Sequence, residues 1–217
     1  MTYTHCLWDF NGTILDDVDA GISSVNVLLE KRDLPTVQSK EQYREIFGFP
    51  IRSYYERLGF DFARESYEDT VAPEWVALYL ENVKSSEIYA DVPNAICAFQ
   101  GHGFSQILLS ATERRMLEAQ VASLKLTDAF DEILGLDHIH AYSKVELARK
   151  WRREHVEARV FVVGDTEHDK EVADAIGADC YLIARGHQSK PRLEATGAVV
   201  LDSLGELCAL LLASDRI

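Results

Sequence analysis

Polar side chains follow three short apolar segments that have the composition of β-strands. Asp9 and Ser110 come directly after two of these segments, and Asp165 comes one glycine after the third. In an open α/β sheet, ligands bind just beyond the carboxyl ends of the strands. One polar residue at a strand end is ordinary, but three would line a single crevice if their strands were neighbours. Asp9, Ser110 and Asp165 are therefore the first candidates for a functional site.

Carboxylates dominate this candidate site. Asp165 lies in the run 164–169, whose last residue, Asp169, lies one helical turn further along. With Asp9, these side chains would form an oxygen-rich cluster, and converging carboxylates repel one another unless a cation lies between them. Mg²⁺ is held in proteins by few carboxylates together with waters and substrate phosphate oxygens. The three carboxylates, if they converge, predict a magnesium site.

Two further residues point to an anionic ligand. Gly12 permits a tight turn after Asp9, which would expose backbone N–H groups. Lys144 follows Ser143, and residues 143–146 fit a capping box at the start of a helix. The helix dipole disfavours a cation at that end. Lys144 should therefore have an anionic partner, which a phosphate together with Asp9 or Asp169 would supply.

Strands that alternate with helices place these residues on a parallel sheet with helices on both faces. The predicted strands are residues 5–8, 106–109, 160–163, 181–184 and 198–201, and two of the predicted helices are residues 114–124 and 144–153.

A second kind of segment interrupts this alternation after the first strand. Apolar residues from 18 to 29 recur at helical spacing, and further helical patterns cover 40–47, 52–58 and 64–83. We therefore predict an α/β fold: a Rossmann-like parallel sheet core of residues 1–16 and 90–217, and an inserted all-α helical cap of residues 17–89.

Composition excludes several classes of protein. Among 217 residues, 47% are hydrophobic, so a sizeable core can form, and the net charge of −14 argues against a nucleic-acid partner. No apolar run approaches the ~20 residues of a membrane span, and no signal peptide precedes the first strand. A cytoplasmic location is predicted, with a monomer and a homodimer both left open.

The motifs together resemble the haloacid dehalogenase superfamily, in its phosphatase branch with a helical cap between motif one and the second core strand. Asp9-Phe10-Asn11-Gly12-Thr13 is similar to motif one, Ser110 to motif two, Lys144 to motif three and residues 164–169 to motif four. All four occur in the family's order across the chain. Residues 47–51 also resemble a stretch of phosphoglycolate-phosphatase-like members.

This resemblance implies a magnesium-dependent phosphatase that acts on a small phosphorylated metabolite, with phosphoglycolate as one candidate. Asp9 would attack phosphorus and form an aspartyl-phosphate, which splits one difficult step into two easier ones. The phosphoryl group would be held by Ser110, the backbone N–H of Ala111 and Lys144, with Gly12 and Thr13 shaping the loop. The metal site would comprise Asp9, the backbone carbonyl of Asn11, Asp165 and Asp169, the last of which would orient Lys144 or a metal-bound water.

Asn11 departs from the family pattern, which usually has a second aspartate there. That aspartate protonates the leaving oxygen and later activates water, and an amide does neither. Three outcomes would follow from this change. The enzyme would be slow, it would favour substrates whose leaving groups need no proton, such as acyl phosphates, or another side chain would act as the acid and base. The candidates for such a group are Asp16, Asp17, His168 and cap residues.

Substrate choice would come from the cap. The candidates to contact a remote anionic group of the substrate are Lys40, Arg44, Arg52 and Tyr54. Residues of these types on a helix more often lie on a face that is exposed to solvent.

Two other functions remain open at this point. A different reaction on the same scaffold is one; phosphonate cleavage would need a cap lysine, for which Lys31, Lys40 and Lys84 are candidates. A phosphate-binding or regulatory protein without turnover is the other, and Asn11 is the feature that favours it.

Overall fold

The computed structural model describes residues 3–141 and 143–213 and places one parallel sheet at the centre. The strand order is β3-β2-β1-β4-β5-β6. The order reverses around β1, which lies between β2 and β4, and such a reversal is where open α/β sheets bind ligands. The strands are β1 (His5–Trp8), β2 (Ser105–Glu113), β3 (Glu132–Leu136), β4 (Val160–Gly164), β5 (Asp179–Ile183) and β6 (Val199–Leu201).

Helices account for most of the remaining regular structure, and the predicted α/β fold is confirmed. Positions 1–2, 142 and 214–217 of the predicted core lie outside the described residues. The helices are α1 (Val18–Glu30), α2 (Lys40–Ile46), α3 (Ile51–Arg57), α4 (Ala72–Asn82), α5 (Val92–Gly101), α6 (Arg114–Ser123), α7 (Val145–Glu154), α8 (Glu167–Ile176), α9 (Lys190–Ala195) and α10 (Leu204–Leu212).

Alternating side chains of the strands build a core on each face of the sheet. Cys6 and Trp8 of β1 belong to one hydrophobic cluster, whereas Leu7 belongs to the other. All three are fully buried, because a parallel sheet that is covered by helices on both faces needs apolar residues at successive positions. The sheet is thus a rigid support for the loops at its carboxyl edge.

The helical segment between β1 and β2 has a hydrophobic core of its own. Buried residues from α1, α3 and the turn before α4 form this third cluster, among them Val25, Leu28, Tyr55 and Val71. A separate core is what a cap domain requires. The boundary at residues 17–89 stays a prediction.

One strand was missed and two local expectations were wrong. A strand, β3, was not predicted at residues 132–136, because it is only partly buried and its Gly135 interrupts the apolar pattern. β2 does not end before Ser110 but continues to Glu113, with a register shift against β3 after Leu109. The predicted capping box at Ser143 is absent from this described segment, since Lys144 is the N-cap of α7 and no side chain caps it.

Candidate active site

The register of the sheet brings Asp9, Ser110 and Asp165 together, although Ser110 lies within β2 and not at its end. Trp8 of β1 pairs with Leu108 of β2 and with Val163 of β4. The residues that follow therefore emerge at the same edge of the sheet. Asp9, Ser110 and Asp165 all line one cavity between this edge and the cap.

Lys144 joins the acidic cluster at its centre. Oxygen atoms of Asp9, Asp165 and Asp169 lie within 4.8 Å of one another. The Lys144 ammonium lies 2.8 Å from Asp169 Oδ1 and also donates a hydrogen bond to Asp9 Oδ1. The lysine is 3% exposed, so its charge is compensated by these carboxylates and not by water. The expectation of an anionic partner for Lys144 is confirmed.

The pKa values of this cluster follow from burial and from the charge count. Burial raises the pKa of Asp9 well above its usual value; Lys144 opposes this shift, while Asp169 and Asp165 add to it. Burial raises the pKa of Asp165 to about 6, and Asp169 adds to the rise although His187 opposes it. Three carboxylates facing one lysine therefore hold more negative charge than this buried site compensates.

Hydrogen bonds from neighbouring backbone and hydroxyl groups orient the carboxylates of the cluster. Asp169 Oδ2 accepts hydrogen bonds from the backbone N–H groups of Asp165 and Thr166, at 3.2 and 3.0 Å, and from the Thr166 hydroxyl at 2.7 Å. The Thr13 hydroxyl lies 3.1 Å from Asp165 Oδ1 and 3.3 Å from Asp9 Oδ2. The two acidic loops are thus tied to each other and to the start of α8.

Asn11 is held in a network that extends into the cap. Its amide nitrogen donates to Asp17 Oδ2 at 2.8 Å and to the Tyr79 hydroxyl at 2.7 Å, and its amide oxygen accepts from the Thr112 hydroxyl at 3.0 Å. Tyr79, from α4, donates in turn to Asp17 Oδ2 at 2.6 Å. Both amide hydrogens of Asn11 are therefore engaged by Asp17 and Tyr79.

A buried ion pair of Asp17 and His187 completes this network. The Asp17 Oδ1 atom lies 3.2 Å from His187 Nε2 and accepts a hydrogen bond from the Gly12 N–H at 2.9 Å. Burial alone would lower the pKa of His187, but the Asp17 carboxylate outweighs it and raises the pKa to about 9. Burial would raise the pKa of Asp17, but His187 and the hydrogen bonds outweigh it and lower the pKa. The pair is charged at neutral pH.

His187 was not predicted, although a signal was present. It lies in the loop after β5, where its N–H donates to Asp165 Oδ2 at 2.5 Å and its Nδ1 lies 2.9 Å from the Tyr43 hydroxyl. Its sequence position follows a strand end, as the positions of Asp9 and Asp165 do. The rule that identified those two residues applies equally to the loop after β5.

The three named substitutes for an acid at position 11 are in different situations. Asp16 is exposed, and of the three only Asp17 and His168 line the cavity. His168 stacks on Phe49, with ring centroids 4.4 Å apart, and burial lowers its pKa. Asp17 contacts Asn11 directly but already accepts hydrogen bonds on both oxygens.

Aromatic side chains form the cap side of the cavity, which encloses about 130 Å³. The cations that were expected to face a remote anion have other partners. Arg44 donates to the backbone carbonyls of Gly186 and Arg185, at 2.8 and 2.6 Å, whereas Lys40 and Arg52 pair with cap carboxylates. The aromatic lining includes Phe47, Phe49, Tyr54, Tyr67, Trp75 and Tyr79.

Comparison with known proteins identifies the family. The model of the haloacid dehalogenase-like hydrolases matches residues 6–183, which is most of the chain. The chain belongs to this family. The match covers the acidic cluster, Lys144 and the cap of this hydrolase, so the predicted superfamily is confirmed. A comparison with curated proteins found no match.

Solved structures share the whole fold of this hydrolase at low sequence identity. A predicted phosphatase from Clostridium acetobutylicum has a TM-score of 0.78 at 21% identity, over 98% of this chain and 100% of the other. A predicted phosphoglycolate phosphatase from Haemophilus somnus has a TM-score of 0.74 at 12% identity, over 99% of each chain. Protein Tyrosine Kinase A from Mycobacterium tuberculosis has a TM-score of 0.79 at 19% identity, over 97% of this chain and 98% of the other. Because their names differ in activity, these likenesses are evidence for fold alone.

No helix within the described residues has the length and apolar character needed to cross a membrane.

Proposed function

We propose that this hydrolase is a magnesium-dependent phosphatase that cleaves a small phosphate ester through an aspartyl-phosphate on Asp9. The observation that carries the proposal is the buried contact of Lys144 with both Asp9 and Asp169, at the reversal point of the sheet and beside Ser110. A nucleophile next to a fixed cation suits phosphoryl transfer, which needs mostly positioning and electrostatic stabilisation. A cytoplasmic location stays a prediction.

The donor set fits a hard divalent cation. Oxygen atoms of three buried carboxylates lie within 4.8 Å, and the raised pKa of Asp9 means that the nucleophile needs more positive charge than Lys144 supplies. Asp9, Asp165 and the backbone carbonyl of Asn11 would hold Mg²⁺, with Asp169 nearby. The ion would supply charge that offsets the repulsion between carboxylate and phosphate.

The proposed reaction has two steps, in which the residues of the chain hold the phosphoryl group while the leaving oxygen takes its proton from water and the attacking water gives its proton to solvent. An Asp9 oxygen attacks phosphorus, the bond between phosphorus and the ester oxygen breaks, and the electron pair leaves with that oxygen. Water then attacks phosphorus, releases inorganic phosphate and regenerates the Asp9 carboxylate. The Lys144 ammonium, the Ser110 hydroxyl and the Ala111 N–H would hold the phosphoryl oxygens, while Thr13 steadies the loop between Asp9 and Asp165.

The alternative functions have weaker support. Among the described residues that line the cavity, none is Lys31, Lys40 or Lys84, so a Schiff base for phosphonate cleavage has no lysine in place. A phosphate-binding protein without turnover is favoured by one observation: the amide hydrogens of Asn11 donate to Asp17 and Tyr79.

The test is phosphate release with Mg²⁺ from a panel that includes phosphoglycolate and an aryl phosphate. We expect turnover by the unmodified protein and none by Asp9→Asn, while Asp128→Asn, which removes an exposed carboxylate, keeps full activity. Acid-quenched protein should carry one phosphoryl group that hydroxylamine removes. If Asp9→Asn retains activity, the nucleophile assignment is wrong; if phosphate binds but nothing is hydrolysed, the protein is a binding member of the family.

A further inference from the structure

The cavity beside Asp9 has an aromatic lining on the side of the cap. Its volume is about 130 Å³, and because Asp9, Ser110 and Lys144 also line it, this volume takes the phosphoryl group together with a small leaving group. Phe47 and Tyr54 of the cap contact each other, with ring centroids 5.2 Å apart, and Trp75 stacks on Tyr79 at 4.6 Å. Aromatic walls of this kind favour an aromatic or apolar group over a charged one.

The positive charges that line the cavity already have carboxylate partners. Across residues 3–141 and 143–213, Lys144 is the lysine or arginine that lines it, and His187, the charged histidine of the lining, pairs with Asp17. The cap cations Lys40 and Arg52 form ion pairs with Asp19 and Glu56 elsewhere on the cap surface. A second anionic group on the substrate, such as the carboxylate of phosphoglycolate, would enter an apolar environment without a partner, which is costly.

The loop that follows Asp9 points to the same substrate class for an independent reason. Asn11 lacks a proton to give to a leaving oxygen, and its amide hydrogens are engaged by Asp17 and Tyr79. Loss of general acid catalysis costs typically ~10²–10⁴-fold in rate. The cost falls on alkoxide leaving groups, whereas a phenolic oxygen leaves as a stabilised anion.

We propose that the substrate of this site is an aryl phosphate, a phosphate monoester of a phenol, whose ring occupies the aromatic cavity of the cap. The proposal rests on the proposed phosphatase function. Asp9 attacks phosphorus, the bond from phosphorus to the phenolic oxygen breaks, and the phenolate keeps the electron pair and takes a proton from water after release. Water then hydrolyses the aspartyl-phosphate as for any other ester.

Tyr54 provides a further contact for a substituted ring. Its hydroxyl is buried and has no hydrogen-bond partner among the described residues, and the side chain lines the cavity. Buried polar groups are rarely left without a partner. A phenol that carries a second polar substituent is therefore expected to bind more tightly than the unsubstituted ring, and Tyr54→Phe should remove that difference.

Four substrates separate the effect of the ring from the effect of the leaving oxygen. Phenyl phosphate has a ring and a phenolic oxygen, benzyl phosphate has a ring and an alkyl oxygen, acetyl phosphate has a good leaving group without a ring, and phosphoglycolate has neither feature. We expect phenyl phosphate to exceed benzyl phosphate in kcat/KM by ~10²–10⁴-fold. As inhibitors, phenylphosphonate should bind at least ~10-fold more tightly than methylphosphonate, because only the first buries a ring.

Cap variants test where the ring binds. Phe49→Leu and Trp75→Leu should each weaken phenylphosphonate binding ~3–10-fold and should weaken methylphosphonate binding less, because only phenylphosphonate carries a ring. Phe62→Leu is the matched control, since Phe62 is a cap ring outside the lining of this cavity.

The outcomes distinguish the two proposals. Hydrolysis of acetyl phosphate or phosphoglycolate that depends on Asp9, without preference for a ring in turnover or inhibition, would leave the phosphatase intact and overturn the aryl phosphate proposal. Equal loss of phenylphosphonate binding in Phe49→Leu and Phe62→Leu would also overturn it. Failure of all four substrates, or hydrolysis that persists in Asp9→Asn, would instead refute the phosphatase function itself.

Discussion

Neutralising Asp165 should stabilise the metal-free protein and remove its response to magnesium. Asp165 is fully buried, and Lys144 forms its ion pairs with the other two carboxylates of the cluster, Asp9 and Asp169. The variant Asp165→Asn keeps the shape of the side chain and deletes its charge. In the metal-free protein, the charge of Asp165 is therefore expected to lower the free energy of unfolding.

The magnitude follows from the pKa of Asp165, which burial and Asp169 raise from 3.8 to about 6 against the opposing effect of His187. This rise corresponds to roughly 3 kcal/mol. Repulsion between two unit charges within 4.8 Å of each other is of the same order, about 3 kcal/mol at an effective dielectric constant of ~20. Because the folded pKa is raised, the penalty is absent below pH 3.8, grows as pH rises, and is complete above pH 6.

Weaker hydrogen bonds of the new amide should offset only part of the stability that Asp165→Asn gains. The Asn oxygen can still accept from the His187 N–H, and the Thr13 hydroxyl can accept from the new amide while donating to Asp9, which lies 3.3 Å away. We expect Asp165→Asn to be more stable by about 1–3 kcal/mol at pH 7.5 in a chelator, a rise in Tm of roughly 3–10 °C.

Urea and thermal unfolding with EDTA or with Mg²⁺ measure the effect. Magnesium at 100 times its Kd should stabilise the unmodified protein by about 2.7 kcal/mol and the variant much less. The difference in stability between the two proteins should therefore become smaller or change sign. The exposed Asp128→Asn control should stay within about 0.5 kcal/mol in both buffers. The reasoning is refuted if Asp165→Asn is less stable than the unmodified protein in EDTA at pH 7.5.

Three further predictions concern the network around Asn11 and the tyrosines that line the cavity. Asn11→Asp should lower the free energy of unfolding by about 1–3 kcal/mol above pH 5, because it places a carboxylate against Asp17, and adding Asp17→Asn should recover part of that loss in a double-mutant cycle. In EDTA, the stability that the charged His187 contributes is complete below pH 6.5 and is lost as pH rises through its pKa of about 9. The unmodified protein should therefore lose roughly 3 kcal/mol more than His187→Gln between these pH values. Parallel plots of unfolding free energy against pH for the two proteins would contradict the ion pair. Tyr54→Phe should keep or raise stability because its hydroxyl has no partner among the described residues, whereas Tyr79→Phe, which breaks two hydrogen bonds, should lose about 1–3 kcal/mol in urea unfolding.

The acidic cluster could be predicted from the sequence because its members follow recognisable strands. β1 and β4 are short apolar segments that end at a polar residue, and the carboxyl edge is where such residues act. Composition alone did not predict that β1 lies between β2 and β4, since strand order depends on how the crossovers pack. The resemblance of the motifs implied that these residues share one site but did not predict the strand order.

The cap side of the site could not be predicted in the same way. Helical spacing predicts a helix that includes Trp75 and Tyr79, but spacing does not reveal which side chains they contact. The Tyr79 hydroxyl contacts Asn11 and Asp17, in the segment between β1 and α1. Arg44 was expected to bind substrate because it is cationic, yet its partners are backbone carbonyls of the loop after β5, and such partners leave no pattern in the sequence.

The amide at position 11 is explained by its neighbour Asp17. An aspartate in this place would bring a carboxylate to within hydrogen-bond distance of Asp17 Oδ2, where the Asn11 amide now donates at 2.8 Å. Asp17 also binds the Gly12 N–H and the charged His187, so it cannot give up its charge without loosening the loop that carries Asp9. The network therefore connects the loop that carries Asp9 to the cap through an amide and leaves position 11 without an acid. For this reason we expect the proposed phosphatase to work best on esters whose leaving group needs no proton.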